Sequence, residues 1–349
     1  MKKTYRILPV YTGDVSGFAS ALYELGGMCV IHDPSGCNST YNTHDEIRWY
    51  DKESLIYISG LNDIDAITGN DDKLISNIVY AAGEMKPKFI ALANSPLPYL
   101  NGTDFKGICR ILEQKTGLPC FYVQTNALHD YSAGASEAYL AFARKFLKPL
   151  PKHNGNKPGA NIIGATPLDH ASTVFEFSDE YDIVSNWSYG TSFEEVVNAT
   201  SADVNIVVSS AGLAAAKYMK EEFDIPYRLL GDYAGVKREK SKCYVVGETV
   251  TSGYVAAQLK RSFGADFNVV ATTEITDGLL GENDIRCHGE EEIRNALSDA
   301  EVIVADPLFK LVSPKTAKFI ELPHFAMSGR LYLKQIPDLM KPEEYYHES

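Results

Sequence analysis

Short apolar runs alternate along the chain with longer stretches in which apolar residues recur at helical spacing. The short runs predict strands over 28–32, 55–59, 89–93, 120–124, 161–164, 182–185, 204–209, 243–247, 267–271 and 302–305. Runs such as FIALA (89–93), NIVVS (205–209) and VIVA (302–305) carry almost no polar alternation. Strands of that kind are covered on both faces, as in a parallel sheet. Between them, Phe18, Ala21, Leu22 and Leu25 predict a helix over 16–25. Leu74, Ile75, Ile78 and Val79 predict one over 72–85, and Ala138, Leu140, Ala141 and Phe142 one over 136–147. The alternation of strand and helix predicts an α/β fold of Rossmann-like parallel-sheet domains.

Two interruptions divide this pattern. KPLPKHNGNKPG (148–159) holds three prolines and two glycines and has no apolar periodicity. GDYAGVKREKSK (231–242) is a weaker break. The division predicts an N-terminal α/β domain over 1–150, a second over 151–235 and a third over 236–349 that includes the tail. The tail beyond Arg330, with Pro337 and Pro342, is either a strap across another domain or a frayed end.

Composition narrows the class. A chain of 349 residues with 45% hydrophobic and 23% charged content is that of a folded protein of two or three domains. The net charge of −13 repels phosphate backbones, which argues against a nucleic-acid partner and makes any basic patch local. No apolar stretch approaches the ~20 residues a membrane helix needs, and the first ten residues lack the apolar core of a secretory signal, so a cytoplasmic protein is expected. The six cysteines (Cys29, Cys37, Cys109, Cys120, Cys243 and Cys287) are too sparse for a disulfide framework, leaving free thiols or metal ligands.

Ligands of parallel sheets gather beyond the carboxyl ends of the strands. The richest such loop is His32-Asp33-Pro34-Ser35-Gly36-Cys37. Gly36 admits backbone angles closed to other residues, and Pro34 stiffens the approach. The loop thus either presents the Cys37 sulfur to a soft metal centre or is an ordinary turn around a buried cysteine. The hydroxyl- and glycine-containing run Thr249, Thr251, Ser252, Gly253 after the strand ending at Gly247 suggests a helix start able to bind an anion. It lacks the spacing of a dinucleotide fingerprint and the lysine of a P-loop.

CVIHDPSGC (29–37) resembles the HGPxGC segment of the nitrogenase component 1 superfamily, and its loop is most similar to that of the reductive cyclase of coenzyme F430 synthesis. The likeness continues in order through LIYISGLNDIDAITGNDDKLISNI (55–78), PKFIALANSPLPYLNGTD (87–104) and VNIVVSSAGLAAAKYMKEEFDIPY (204–227). The resemblance implies three Rossmann-like domains and Cys37 as a ligand of an iron–sulfur cluster at a subunit interface. It also implies electrons delivered by a separate ATP-dependent iron protein, and reduction of an unsaturated small molecule, a tetrapyrrole among the candidates.

The sequence departs from that pattern where other cluster cysteines would stand. The first such region reads YTGDVSG (11–17), and the third reads Asn94-Ser95-Pro96, with Ser95 at the cysteine position. An eight-iron cluster is therefore unsupported. A homodimer, or a pair with a similar subunit, offers two copies of Cys37; with Cys29 that makes four thiolates, as a 4Fe–4S cluster requires. Cys29 lies roughly 10 Å back along the strand at ~3.3 Å per residue, so Asp14, Asp33, His32 or Ser95 are alternative ligands. Gly36 and Ser95 are expected beside the cofactor, and His170, after GATPLD, is the candidate proton-transfer residue in a cleft between domains. His44 and His129 fall near loops, Cys287-His288 is an isolated pair, and Cys109, Cys120 and Cys243 read as core. Three functions fit: a nitrogenase-like reductase subunit, a non-catalytic scaffold for metal-cluster assembly, and a cluster-free α/β binding protein.

Overall fold

A computed structural model describes residues 5–34, 46–169, 177–187 and 189–347. It contains three parallel sheets. The first is built from β1 (Met28–His32), β2 (Leu55–Ile58), β3 (Ile90–Asn94) and β4 (Cys120–Val123) in the order β2-β1-β3-β4. The second takes β5 (Gly159–Ile163), β6 (Asp182–Asn186), β7 (Val204–Val207) and β8 (Tyr227–Leu229) in the order β6-β5-β7-β8. The third orders β9 (Cys243–Gly247), β10 (Asn268–Ala271), β11 (Ile285–Arg286), β12 (Val302–Ala305) and β13 (Lys318–Glu321) as β11-β10-β9-β12-β13. Every strand pair is parallel, with β1 in register against both β2 and β3 (Cys29 opposite Ile56 and Ala91).

The helices are α1 (Asp14–Leu22), α2 (Asp63–Thr68), α3 (Asp71–Met85), α4 (Pro96–Asn101), α5 (Phe105–Thr116), α6 (Tyr131–Phe146), α7 (Phe193–Val197), α8 (Leu213–Phe223), α9 (Thr249–Phe263), α10 (Glu290–Ala296) and α11 (Phe325–Ser328). Successive strand side chains point to opposite faces. In the first sheet Cys29, Ile31, Ala91 and Ala93 join the core formed with α1 and α6. Met28, Val30, Ile90 and Leu92 join a separate core with α3 and α5. Coverage of both faces is why these runs are apolar at consecutive positions. The strands that the pattern misses, β8, β11 and β13, are short edge strands with half-exposed side chains, which leave little apolar signal.

The first described residues pack with the third domain. Leu8 and Tyr11 lie in the core of the third domain with Val246, Val270 and Cys287. One carboxylate oxygen of Glu290, at the start of α10, accepts the backbone N–H groups of Arg6, Ile7 and Leu8 at 2.9, 2.7 and 3.0 Å. The tail packs on the third domain itself: Leu339 and Tyr345 are buried, and the Tyr346 ring packs against Phe263 and Phe267 at 5.0 and 5.7 Å. No helix among the described residues is long and apolar enough to cross a membrane.

The three N–H groups hold the Glu290 carboxyl down at about 2, below its usual range. A depressed acid stabilises the fold above its unfolded-state value and loses that contribution as pH falls towards 2. Glu290→Gln at neutral pH removes the same charge. Trypsin cleavage after Arg6 is expected to accelerate on the order of tenfold, since cleavage follows the open population. Unchanged cleavage would show that the N-terminal segment is held elsewhere.

Candidate functional site

In each sheet the crevice between the strand that starts the unit and its crossover neighbour is the place where loops diverge and ligands fit. In the first sheet it lies between β1 and β3. His32 ends β1, with its Nδ1 2.7 Å from Ser59 Oγ and its ring edge-on to Phe105 at 5.9 Å. Burial lowers the imidazole to about 4, so it is neutral at pH 7. Asp33 donates its N–H to Ser59 Oγ at 3.1 Å and accepts from Leu61 N through its carbonyl at 2.9 Å. Across the crevice Ser95 caps α4 with its backbone, Pro96 takes the first helical position, and the Ser95 N–H donates to His32 O at 3.3 Å. Neither Asp33 Oδ2 nor Ser95 Oγ, both buried, has a hydrogen-bond partner among the described residues. Gly36, Cys37 and His44 lie outside the described residues, as does His170.

The chain resumes at Glu46 and is clamped at once. Arg48 is buried and donates to Glu46 (Nε at 2.7 Å), Glu24 (Nη1 at 3.1 Å) and Ser20 O (Nη2 at 2.9 Å), with its guanidinium 4.5 Å above the Tyr23 ring. The stem beyond 35–45 is thus fixed to α1. Cys29 has no exposed surface, and burial pushes its thiol up to about 12. It is a neutral core side chain, which leaves it packed rather than presented as a thiolate. Cys109, Cys120 and Cys287 are buried as well.

A buried carboxylate joins the second and third domains. Glu248 follows β9, and its carboxylate accepts Val250 N at 3.1 Å and Thr251 N at 2.8 Å at the head of α9, and Ser210 N at 3.0 Å from the second domain. This corrects the expected anion site: the helix terminus is already occupied by an internal carboxylate, whose pKa is raised by burial first and by Asp169 second. Nearby, one side chain from each domain meets in a buried joint. The Tyr131 hydroxyl donates to Asp169 Oδ1 and lies 3.1 Å from His324 Nε2. A phenol has one proton, so Nε2 is the donor to the Tyr131 oxygen. The Tyr131 phenol is driven far above its usual value by burial and then by the Asp169 charge. Asp306 Oδ2 accepts the backbone N–H of His324 at 2.8 Å.

Two cavities meet at His129. One, of about 320 Å³, lies between the first and third domains and is lined by Tyr5, Tyr11, His129, Thr273 and His288 among others. The other, of about 600 Å³, is open and bordered by residues of all three domains, including Asp14, Asn126, Glu137, Lys217 and Asp277. His129 Nδ1 is 2.7 Å from Glu274 Oε2, joining first and third domains at the rim. Asp14 is held in place by Asn126 N and Ala127 N at 2.9 and 2.8 Å.

Residues 25–251 match the family model for nitrogenase component 1 type oxidoreductases, more than half of the chain. The chain belongs to the nitrogenase component 1 family. It is 24% identical over 229 residues to the nitrogenase iron–molybdenum cofactor biosynthesis protein NifE of Clostridium pasteurianum. That match takes in 63% of this chain and 49% of NifE, so the chain spans about half the length of this curated relative. Two solved structures of nitrogenase Cp1, at pH 5 and at pH 6.5, share the fold with TM-scores of 0.65 and 0.66 at 14% identity. They cover 98% and 95% of this chain, which covers 88% and 89% of theirs. At this identity the likeness is one of fold. The expected three parallel-sheet domains of component 1 type are therefore present.

Members of this component 1 family are associated with iron–sulfur clusters. Among the described residues, no three or more His, Cys, Asp or Glu side chains converge as a metal site would require. The β1–β3 crevice offers a carboxylate oxygen and a hydroxyl without partners. Cys37, the expected sulfur ligand, lies outside the described residues.

Proposed function

We propose that this component 1 chain is the subunit of a nitrogenase-like reductase. Cys37 is its iron–sulfur ligand at an interface with a second copy or a similar subunit. Electrons come from an ATP-dependent iron protein, and an unsaturated small molecule is reduced in the cleft around His129. The observation that supports this reading is the β1–β3 crevice, from which the Cys37 loop departs and which carries the orphaned Asp33 Oδ2 and Ser95 Oγ. When bound, an iron–sulfur cluster supplies low-potential electrons singly. Reducing a double bond also consumes two protons, and the chain's own part is to hold them. The His129–Glu274 pair sits on the cavity rim with the imidazole open to solvent, which places a proton-carrying side chain beside the bound molecule. His170, at the end of the second domain's GATPLD loop, is a further proton-transfer candidate, and Gly36 a residue beside the cofactor.

The relation to NifE, a cofactor biosynthesis protein by its name, favours a second reading, a scaffold that carries a cluster precursor without turnover. One anaerobic preparation separates the two. The reductase reading expects a brown protein whose cluster is bleached only with an iron protein and ATP. A cluster that instead passes intact to an apo-protein selects the scaffold, and a colourless, iron-free protein overturns both.

A further inference from the structure

The third domain holds a pocket of about 560 Å³ that is separate from the cleft around His129. Two segments line it, 236–240 and 278–284, together with Tyr233 and Asn268. In a chain of net charge −13, the stretch 237–242 brings Lys237, Arg238, Lys240 and Lys242 together, and the first three border this pocket.

Arg238 is the unusual member. Its side chain is only 7% exposed, and Nη2 donates to Asp284 Oδ2 at 2.7 Å. Asp284 is itself fixed by Val269 N on Oδ1 and Gly281 N on Oδ2, both at 2.8 Å, so the guanidinium is anchored on one side. Its other end, Nη1, is buried and has no acceptor among the described residues. Buried donors are almost always matched, and a guanidinium built only to pair with one carboxylate would use its fork on both oxygens. Here the second carboxylate oxygen is spent on a backbone N–H, which leaves Nη1 unmatched among the described residues.

The surroundings indicate what would match it. Lys237 and Lys240 are exposed cations at the border, and the Glu239 carboxylate is offset by Lys237 at 3.6 Å. Glu282 is the remaining exposed carboxylate, and Asp284 is paired with Arg238. Val236, Leu279 and Leu280 add apolar wall. We propose that this pocket binds a small organic anion, an oxyanion head accepted by Arg238 between Lys237 and Lys240 with an apolar body against Leu279 and Leu280. The site is independent of the redox reading, since no residue of it borders the β1–β3 crevice or the cleft.

Titration calorimetry on the full chain at low ionic strength tests this with phenyl phosphate, benzoate and inorganic phosphate. The two aromatic probes separate phosphate from carboxylate preference. At least one should saturate at one per chain, about tenfold tighter than inorganic phosphate. The K237Q/K240Q double variant, which changes exposed side chains only, should weaken binding about tenfold with an unchanged melting temperature. Arg238→Lys should abolish binding; if that variant does not fold, the double variant decides. Absence of saturable binding by both aromatic probes, or undiminished affinity in the double variant, overturns the site. Equal affinity for inorganic phosphate overturns its organic-anion character.

Discussion

Alanine in place of Gly134 is expected to destabilise the protein by about 4 kcal/mol, enough to leave little of a typical domain's margin. A β-carbon at 134 would lie 1.8 Å from Asp14 O and 2.5 Å from Asp14 C. The reciprocal position is as tight, for a β-carbon on Gly17 would meet Tyr131 O at 1.9 Å and Ala135 N at 2.8 Å. Helices α1 and α6 thus cross backbone against backbone, and neither obstacle is a side chain that can rotate away. The helices would have to separate, and their starts are tied by Tyr131 N to Thr12 O at 2.7 Å and Asp14 N to His129 O at 3.0 Å. Overpacking of this kind costs about 1–3 kcal/mol, and each hydrogen bond lost adds about 1 kcal/mol. Gly83→Ala, in α3 with nothing within 4 Å of the new carbon, is the control and should stabilise by about 0.5–1 kcal/mol. Urea midpoints of the two variants decide the matter. A Gly134→Ala protein within 1 kcal/mol of the parent would mean that the helices part easily.

The crossing also shows what a sequence conceals. Gly17 and Gly134 sit in ordinary helical stretches, and nothing in either pattern says that they meet. The strands, by contrast, were legible because the central ones are covered on both faces and so are apolar at each position, as in VIVA (302–305). The same reasoning fails at the edges, where β13 reads KFIE with exposed ends. The loop after β1 could be found because proline, glycine and cysteine follow an apolar run directly. The Tyr131–Asp169–His324 joint could not, since its members stand 38 and 193 residues apart along the chain from Tyr131 and share no local pattern. Glu248 was within reach: an acid just ahead of a helix start is a capping signal. Reading the hydroxyls of 249–252 as an open anion site passed over the residue that fills it.

Cys37→Ala should remove the bound iron and all broad visible absorption from the anaerobic protein, whereas Cys29→Ala should keep both. The two thiols differ in chemistry rather than in distance alone. Cys29 is fully buried near the start of β1, with its ionisation pushed up to about 12, so near neutral pH it stays protonated in an apolar core. Its truncation costs about 1–2 kcal/mol as a small cavity and reads out as a lower melting temperature at full iron content. Cys37 follows the same strand in sequence, and the crevice at that strand's carboxyl end has two oxygens, Asp33 Oδ2 and Ser95 Oγ, without partners among the described residues, and no cluster of His, Cys, Asp or Glu there to bind metal in its place. Carboxylate and hydroxyl are hard donors that supplement a thiolate at iron and do not replace it, so deletion of the single sulfur is not rescued by its neighbours. Loss of the cluster also withdraws its binding energy from the folded state, and the melting temperature should fall to that of the iron-free parent and no further. Iron per chain and the visible spectrum of the two variants, prepared side by side, give the answer. Full iron in Cys37→Ala, or its loss in Cys29→Ala, would move the cluster to a different set of residues.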